Sequence, residues 1–588
     1  MSSLKDLASL IMVPSLVKDG RLDTVKPLGN SIIHPDATGN NDGTDGSTPA
    51  EGNFTFSRGS NLAATRVDVN GLIEKGRENL ALQGSDISTQ SGSWVVNQGG
   101  VTTQNATTSP IGTNTASQIT ANGSNTYSGV AQTGIVMGAL RYTYSVYLKA
   151  QSGTPDIRLT SYDGVTFHQQ DFSITTEWER YSITFTPAAG THSIYITSQQ
   201  GVSWYAWGAQ FELGLVATDY IETGASTAQA GILEDLPRLD YSGGASCPAL
   251  LLEPQRTNII TDSEYFGSAD WYNSGNIYAT RVANATTSPD GLQNAYSLEG
   301  TGTTGRIQDY IGNLSGSYTH SIFLKGSGVS ATANLQSNDV GGTSVTINAD
   351  GTMSIPAGNN RGIEDYGNGW YRVYFTYTAT AGTQNYFQFY PDTTGNGAKI
   401  YCYGAQVEAG SYPTSYIPTM GSAVTRSKEG ANLTGLSNVF GSSASTTFVE
   451  IDIPPSGSLS PTGVWTLTAA ADTSNFISMC QFDSGITTPR VALYIGGVAI
   501  IDQYLSTPLS EGAHKVCFVY QDGSQKLFID GVEELSLTES FNYVEFTKLS
   551  INDAAWALGN NGGPYSNKQT LVFPTALTDS ECIALTTI

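Results

Sequence analysis

Two carboxylates, Glu450 and Asp452 in the stretch VEIDIPP, stand two residues apart and share one face of any strand that carries them. Acids on one wall are what glycoside hydrolysis needs: one attacks or activates water, the other protonates the leaving oxygen. Here Pro454 and Pro455 end the strand directly afterwards, and without a second correctly placed acid that protonation has no agent. The five histidines (His34, His168, His192, His320, His514) lack zinc-ligand spacing. The five cysteines (Cys247, Cys402, Cys480, Cys517, Cys582) are scattered, and read as small buried hydrophobes in a chain made in a reducing cytoplasm. No nucleophile elbow or phosphate-cradling loop occurs. The expectation is a protein that is not an enzyme.

Binding is the better use of these side chains. A neutral polyol has apolar C–H faces and many hydroxyls, so its site needs an aromatic plate beside amide and carboxylate groups. In SWYAWGAQFELG (203–214), strict alternation puts Tyr205, Trp207, Ala209, Phe211 and Leu213 on a core face. Trp204, Gln210 and Glu212 then share the other face, which makes them the first candidate carbohydrate site. A second candidate is the stretch NDAAWALGNNGGPY (552–565), which offers Trp556, Asn560, Asn561 and Tyr565 in one loop, with Asp553 placed to join a calcium ion. Asp42 and Asp45, in a Gly/Asn/Asp linker over 35–53, read as solvated loop.

These residues need strands to position them. Only 13% of the 588 residues are charged, Gly is abundant at 65, and Thr, Tyr, Val, Gly and Asn favour strands and turns over long helices. The chain is therefore expected to be all-β. Its net charge of −24 repels phosphate backbones, so nucleic acid is not an expected partner. The opening MSSLKDLASLIMVPS is too short in apolar run for a membrane span or a leader, so no membrane insertion is expected. Leu4, Leu7, Ala8 and Ile11 fall at helical spacing and predict a short amphipathic helix, either packed on its own chain or serving as a docking peg for a larger assembly.

WGAQFELGLVATDYIET (207–223) returns as YGAQVEAGSYPTSYIPT (403–419). Four further anchors repeat in the same order: RENLALQG with RTNIITDS, the two NATTSP stretches, YTYSVYLKAQSG with YTHSIFLKGSG, and EWERYSITFT with GWYRVYFTYT. An offset near 200 residues makes each unit a domain. The predicted organisation is 1–60 as attachment segment and linker, 61–226 and 227–427 as duplicated sandwiches, and 428–588 as a third. In the last, HKVCFVYQDGSQKLFIDGVE reads as a hairpin turning at Asp522-Gly523, and LTDSECIAL as a closing helix with a Thr578/Glu581 capping box.

Each duplicated unit resembles the jelly-roll carbohydrate-binding modules of secreted glycanases, on the opening N-L…F…W phrase and the closing GAQ-x-E-x-G strand. SYIPT…AVTRS (415–427), PRLDYSGGASCPALLLEPQRTN and VDVNGLIE resemble bacteriophage structural and tail protein sequence. The 428–588 region resembles laminin-G/concanavalin-A-like sandwiches, a group that includes enzymes with a strand reading E-x-D-x-x-E; the third acid is missing here. The modules often hold calcium on an Asp in the final strand, where this chain has Gln210 and Gln406.

The resemblance implies tandem antiparallel β-sandwiches, two jelly rolls plus a concanavalin-A-like sandwich. The protein would be a non-enzymatic virion appendage (tail fibre, tail spike or head fibre), made in the host cytoplasm and displayed on the phage particle. It would bind a host-surface glycan, contact other virion proteins through residues 1–60, and assemble as a homo-oligomer, by analogy a trimer. The alternatives are a purely structural spacer and, further off, a capsule depolymerase.

Overall fold

The structure is a computed structural model describing residues 4–18, 21–26, 31–32, 54–59, 62–123, 126–234, 236–272, 279–300, 302–338, 341–436, 439–453, 465–469, 472–481, 488–506, 508–552 and 565–588. It is all-β, built from antiparallel sheets packed in pairs. One sheet of the first jelly roll runs, edge to edge, through Glu179–Phe185, Tyr142–Ala150, Ser203–Leu213, Ala116–Thr120 and Val101–Thr107. The sheet facing it runs through Phe167–Ser173, Asp156–Tyr162, Gly190–Ser198, Ser128–Met137 and Val95–Asn97. The second roll repeats this order around Lys399–Ala409 and Gly316–Gly326. Its facing sheet runs Ile307–Gly312, Asn385–Tyr390, Ala331–Ser337, Gly341–Ile347 and Met353–Ser354.

The alternation that predicted these strands breaks at one place in each copy. Gly208 and Gly404 adopt left-handed φ of 69° and 60°, and the pairing register shifts there. Such a bulge adds one residue and switches which parity faces the core. Trp204 and Ala206 before it, and Ala209 and Phe211 after it, all point inward. The second copy does the same with Ile400, Cys402, Ala405 and Val407.

The third sandwich is where both ends of the chain meet. Its strand Tyr565–Phe573 pairs with Ala444–Ile453 on one side, and on the other with Leu10–Met12 and with Leu250–Leu252. Thr55–Ser57 extends the opposite sheet beside Gly430–Leu433. The predicted amphipathic helix is thus corrected: a 3-10 turn at Leu4–Leu7 is followed by a strand, Leu10–Lys18. Leu10 and Met12 are buried in the main core, and Ser9 donates its hydroxyl to the Val439 and Val572 carbonyls. The apolar run pairs on one edge with Arg21–Lys26 next in the chain and on the other with a strand some 560 residues away, which local periodicity does not report. The hairpin and capping box are present: Gly512–Gln521 turns into Ser524–Ile529, and Thr578 and Glu581 cap Asp579–Thr586 reciprocally.

A buried ion network fastens these parts together. Arg238 reaches Glu253 and Glu429, Arg426 reaches Glu253 at 2.9 Å, and Arg58 reaches Glu429 at 3.1 Å. Burial pushes the Glu253 carboxyl up, but Arg426 and Arg238 overcome it and hold it down at about 2.

Candidate functional site

The residues of the repeated motif assemble a clasp, and both copies build it alike. Asn79 donates to the Ala209 and Ile221 carbonyls at 3.1 and 2.9 Å, and accepts from the Ala81 and Phe211 amides. Asn258 does the same with Ala405, Ile417, Ile260 and Val407. Gln210 donates to Glu212 at 2.6 Å and accepts from Ile221 at 2.7 Å, while Thr218 donates its amide and hydroxyl to Glu212. Gln406, Glu408, Ile417 and Thr414 repeat this pattern within about a tenth of an ångström at the shared contacts. The segment after each motif strand folds back over its outer face and buries both acids and both amides.

This corrects the first candidate site. Trp204 is fully buried in the core because the bulge at Gly208 turned it inward. Gln210 and Glu212 are buried with their polar atoms spent on the chain itself. None of the three offers a surface to a ligand. Of the second candidate, Asp553, Trp556, Asn560 and Asn561 lie outside the described residues, as do Asp42 and Asp45. Tyr565 begins the strand paired with Leu252. Glu450 and Asp452 do share a face, and Asp452 pairs with Lys568 at 3.3 Å. Among the described residues no group of His, Cys, Asp and Glu is arranged to hold a metal, and no helix is long and apolar enough to cross a membrane.

The facing sheet of the second roll carries tyrosines on its outer face over a row of amides. Gln308, Gln388 and Gln336 stand directly opposite one another on three adjacent strands, the first two buried and Gln336 half-buried. Their core-facing neighbours Ile307, Phe387, Phe389 and Leu335 fix this row on the outer face. The amides form a chain: Asn334 donates to Gln336 at 3.0 Å, Gln336 to Gln388 at 3.3 Å, and Gln388 to Gln308 at 3.0 Å. Tyr310 and Tyr386 flank the row on one side, 5.3 Å apart, with Tyr272 edge-on to Tyr386. Tyr390 flanks the other side under the Arg306 guanidinium. Burial, reinforced by Tyr386, pushes the Tyr272 phenol up to about 12, so it remains a hydrogen-bonding hydroxyl.

The matching face of the first roll is built differently. Tyr162 and Phe167 stack at 4.2 Å, and Phe167 is mostly exposed. Arg158 lies 3.8 Å from the Tyr127 ring and grips Asp171 with two bonds of 2.6 Å. Aromatic area is present, but Ala131, Tyr195 and Thr160 stand where the second roll has its amide row, and the ion pair lies one strand further out. Sequence reasoning missed both faces because neither lies in the repeated phrases. The available signal was the alternation of Tyr386, Gln388 and Tyr390 along one strand.

Two clefts flank the second roll. One of ≈ 450 Å³ lies between the rolls, with Leu80, Leu140, Leu215 and Met420 as walls and Lys75 and Glu264 among its polar lining. The other, of ≈ 750 Å³, includes Glu364, Tyr366, Arg372 and Tyr416.

No family model matches the chain, and no curated protein matches it. Among solved structures, it is similar to the N-terminal CBM22-1–CBM22-2 tandem domain of Paenibacillus barcinonensis Xyn10C. That match has 10% identity and a TM-score of 0.23, and covers 60% of this chain and all of that one. Domain 4 of AbnA, a GH43 extracellular arabinanase from Geobacillus stearothermophilus solved with arabinotriose, matches at 19% identity over 27% of this chain and 73% of that one, with a TM-score of 0.21. The CBM40 of Ruminococcus gnavus IT-sialidase, bound to α2,3 sialyllactose, matches at 12% identity over 26% and 86%, with a TM-score of 0.21. The candidate site rests on its own geometry rather than on these likenesses.

Proposed function

We propose that this is a non-catalytic glycan-binding protein of the bacteriophage virion, whose second jelly roll holds a neutral oligosaccharide on its outer sheet face. The observation that carries the binding is the outer-face group of exposed Tyr310 and half-buried Tyr386, Tyr390 and Gln336, held in place by the buried amides of Gln308 and Gln388 beneath it. Amides can donate and accept at once, so they match hydroxyls without demanding charge. Tyrosine rings cover the sugar's C–H faces at little entropic cost. The strong negative charge of the chain suits such recognition, since neutral ligands are not repelled.

The virion setting is proposed from the sequence resemblance. In it, the particle-docking surface includes the end of the third sandwich extended by Leu10–Lys18 and Arg21–Lys26. One such site binds weakly, and linked copies on a trimer raise avidity by ~10²–10⁴. A glycan array probed with the full chain and with Tyr386→Ala tests this reading. Retention of a neutral oligosaccharide by the wild type alone is expected.

A spacer without sugar binding is the second reading. It draws on the near-complete burial of Trp94, Trp204, Trp207, Trp271, Trp370 and Trp465, which leaves few indole plates for a ligand. Immunogold labelling of particles together with an empty array would favour it.

A further inference from the structure

Beside the motif strand of the second roll, a lysine from another part of the chain is buried against two acids. The hairpin formed by Thr65–Val67 and Ile73–Lys75 packs on this roll: Thr65 donates to the Tyr416 carbonyl, and the Ile73 amide to Pro289. Lys75 Nζ then lies 2.6 Å from Asp290 Oδ2, 2.9 Å from Glu264 Oε1 and 2.9 Å from the Tyr403 hydroxyl. The side chains of Lys75, Glu264 and Asp290 are 14%, 5% and 2% exposed, with Tyr403 and Tyr416 of an adjoining apolar cluster bonded to Glu264.

We propose that Lys75 and Asp290 condense into an intramolecular isopeptide bond, with Glu264 and Tyr403 as the proton-handling groups. Nζ passes one proton to Glu264 Oε1 before it attacks Asp290 Cγ and a second once the C–N bond has formed, and both are delivered to Oδ2 as the Cγ–Oδ2 bond breaks. The Tyr403 hydroxyl contacts Glu264 Oε1 at 2.8 Å and Asp290 Oδ2 at 2.9 Å, which makes it a relay between base and leaving oxygen. Asp290 Oδ1 accepts from the Leu292 amide at 3.1 Å and from the Ser288 hydroxyl, donors aimed where charge develops in the tetrahedral adduct. Oδ2 receives Asn294 at 3.2 Å and departs as water. The balance closes within the pair: an ammonium and a carboxylate become an amide and one water, with no oxidant or other reactant. Desolvation favours this direction, because two buried charges are replaced by a neutral group. Fixed contact supplies the effective concentration.

The first roll shows that the jelly roll does not require this set. Matched backbone bonds, Ala209 to Gly84 and Ala405 to Ser263, place Ser85 where the second roll has Glu264. The Ser109 and Ser288 turns place Ile111 where it has Asp290, and the two bulges place Trp207 where it has Tyr403. The acids occur only where the hairpin lysine arrives. The bond would close a covalent loop containing the whole first roll and anchor it to the second.

Intact mass of the full chain decides the matter. The expected mass is lower than that of the sequence by one water, about 18 Da, with a branched peptide joining Lys75 to Asp290 after proteolysis. Glu264→Gln is expected to restore the full mass, and Tyr403→Phe to slow the loss during expression. If the variants do not fold, the wild type alone still answers: full mass, with Lys75 acylated by an amine reagent after denaturation, overturns the proposal.

Discussion

The two jelly rolls share their inner fastening and differ on their outer surface. Asn79/Gln210/Glu212 and Asn258/Gln406/Glu408 make the same hydrogen bonds at nearly the same distances. The facing sheets diverge: an ion pair and stacked rings on the first, an amide row between tyrosines on the second. The duplication therefore preserved what closes a sandwich and released what touches the outside. A phrase that recurs within this chain marks the fastening, and the proposed binding face lies where the copies disagree.

The clasp carries the largest expected effect. Asn258→Ala strips four backbone groups of their partner in a fully buried place and is expected to cost about 3 kcal/mol or more. Asn79→Ala is expected to cost the first roll a similar amount. Hydrogen exchange resolved by roll checks both, and a neutral result in either would break the equivalence.

A smaller difference lies inside the sandwiches. Gln132 in the first roll bonds the Leu82 amide and carbonyl at 2.8 Å, and Asp309 stands at the matching place in the second. Burial, with Asp270 and Asp262 adding to it, pushes the Asp309 carboxyl up to about 7. A carboxyl raised in the folded state stabilises fully only below its ordinary range near 4, and that contribution fades as pH rises toward 7. Asp309→Asn is expected to stabilise the second roll by about 2 kcal/mol at pH 8 and little at pH 4. Thermal unfolding at the two pH values reads this directly. No such slope is expected of Gln132.

The outer faces carry the smallest energies. Tyr390→Ala is expected to weaken glycan binding about tenfold, near 1.4 kcal/mol, while Phe167→Ala on the first roll changes it less than about twofold. Titration with the array's best oligosaccharide would sharpen or erase the contrast.

Much of this architecture was legible in the sequence. The all-β class followed from composition, and the duplication from five ordered anchors. The Asp522-Gly523 hairpin and the Thr578/Glu581 cap followed from local turn and cap chemistry. What failed was a parity count through Gly208, where one extra residue moved Trp204 from surface to core. A glycine after an aromatic inside both copies of a strand, WG and YG, was the available sign of a bulge. The N-terminal strand was misread because helical spacing in a short apolar run is ambiguous, and only one of its two partners, Arg21–Lys26, is local while the other is Thr570–Val572. The candidate face was not legible either, since three separate strands must be aligned before Gln308, Gln388 and Gln336 form a row.

Calorimetric titration of the full chain and of Tyr386→Ala, with one neutral oligosaccharide selected on the array, bears most directly on the binding face. Saturable binding by the wild type, weakened at least about tenfold in a variant that unfolds at the same temperature, is the predicted result. Equal affinity of the two proteins would place the sugar elsewhere, and no binding to any glycan would contradict the account.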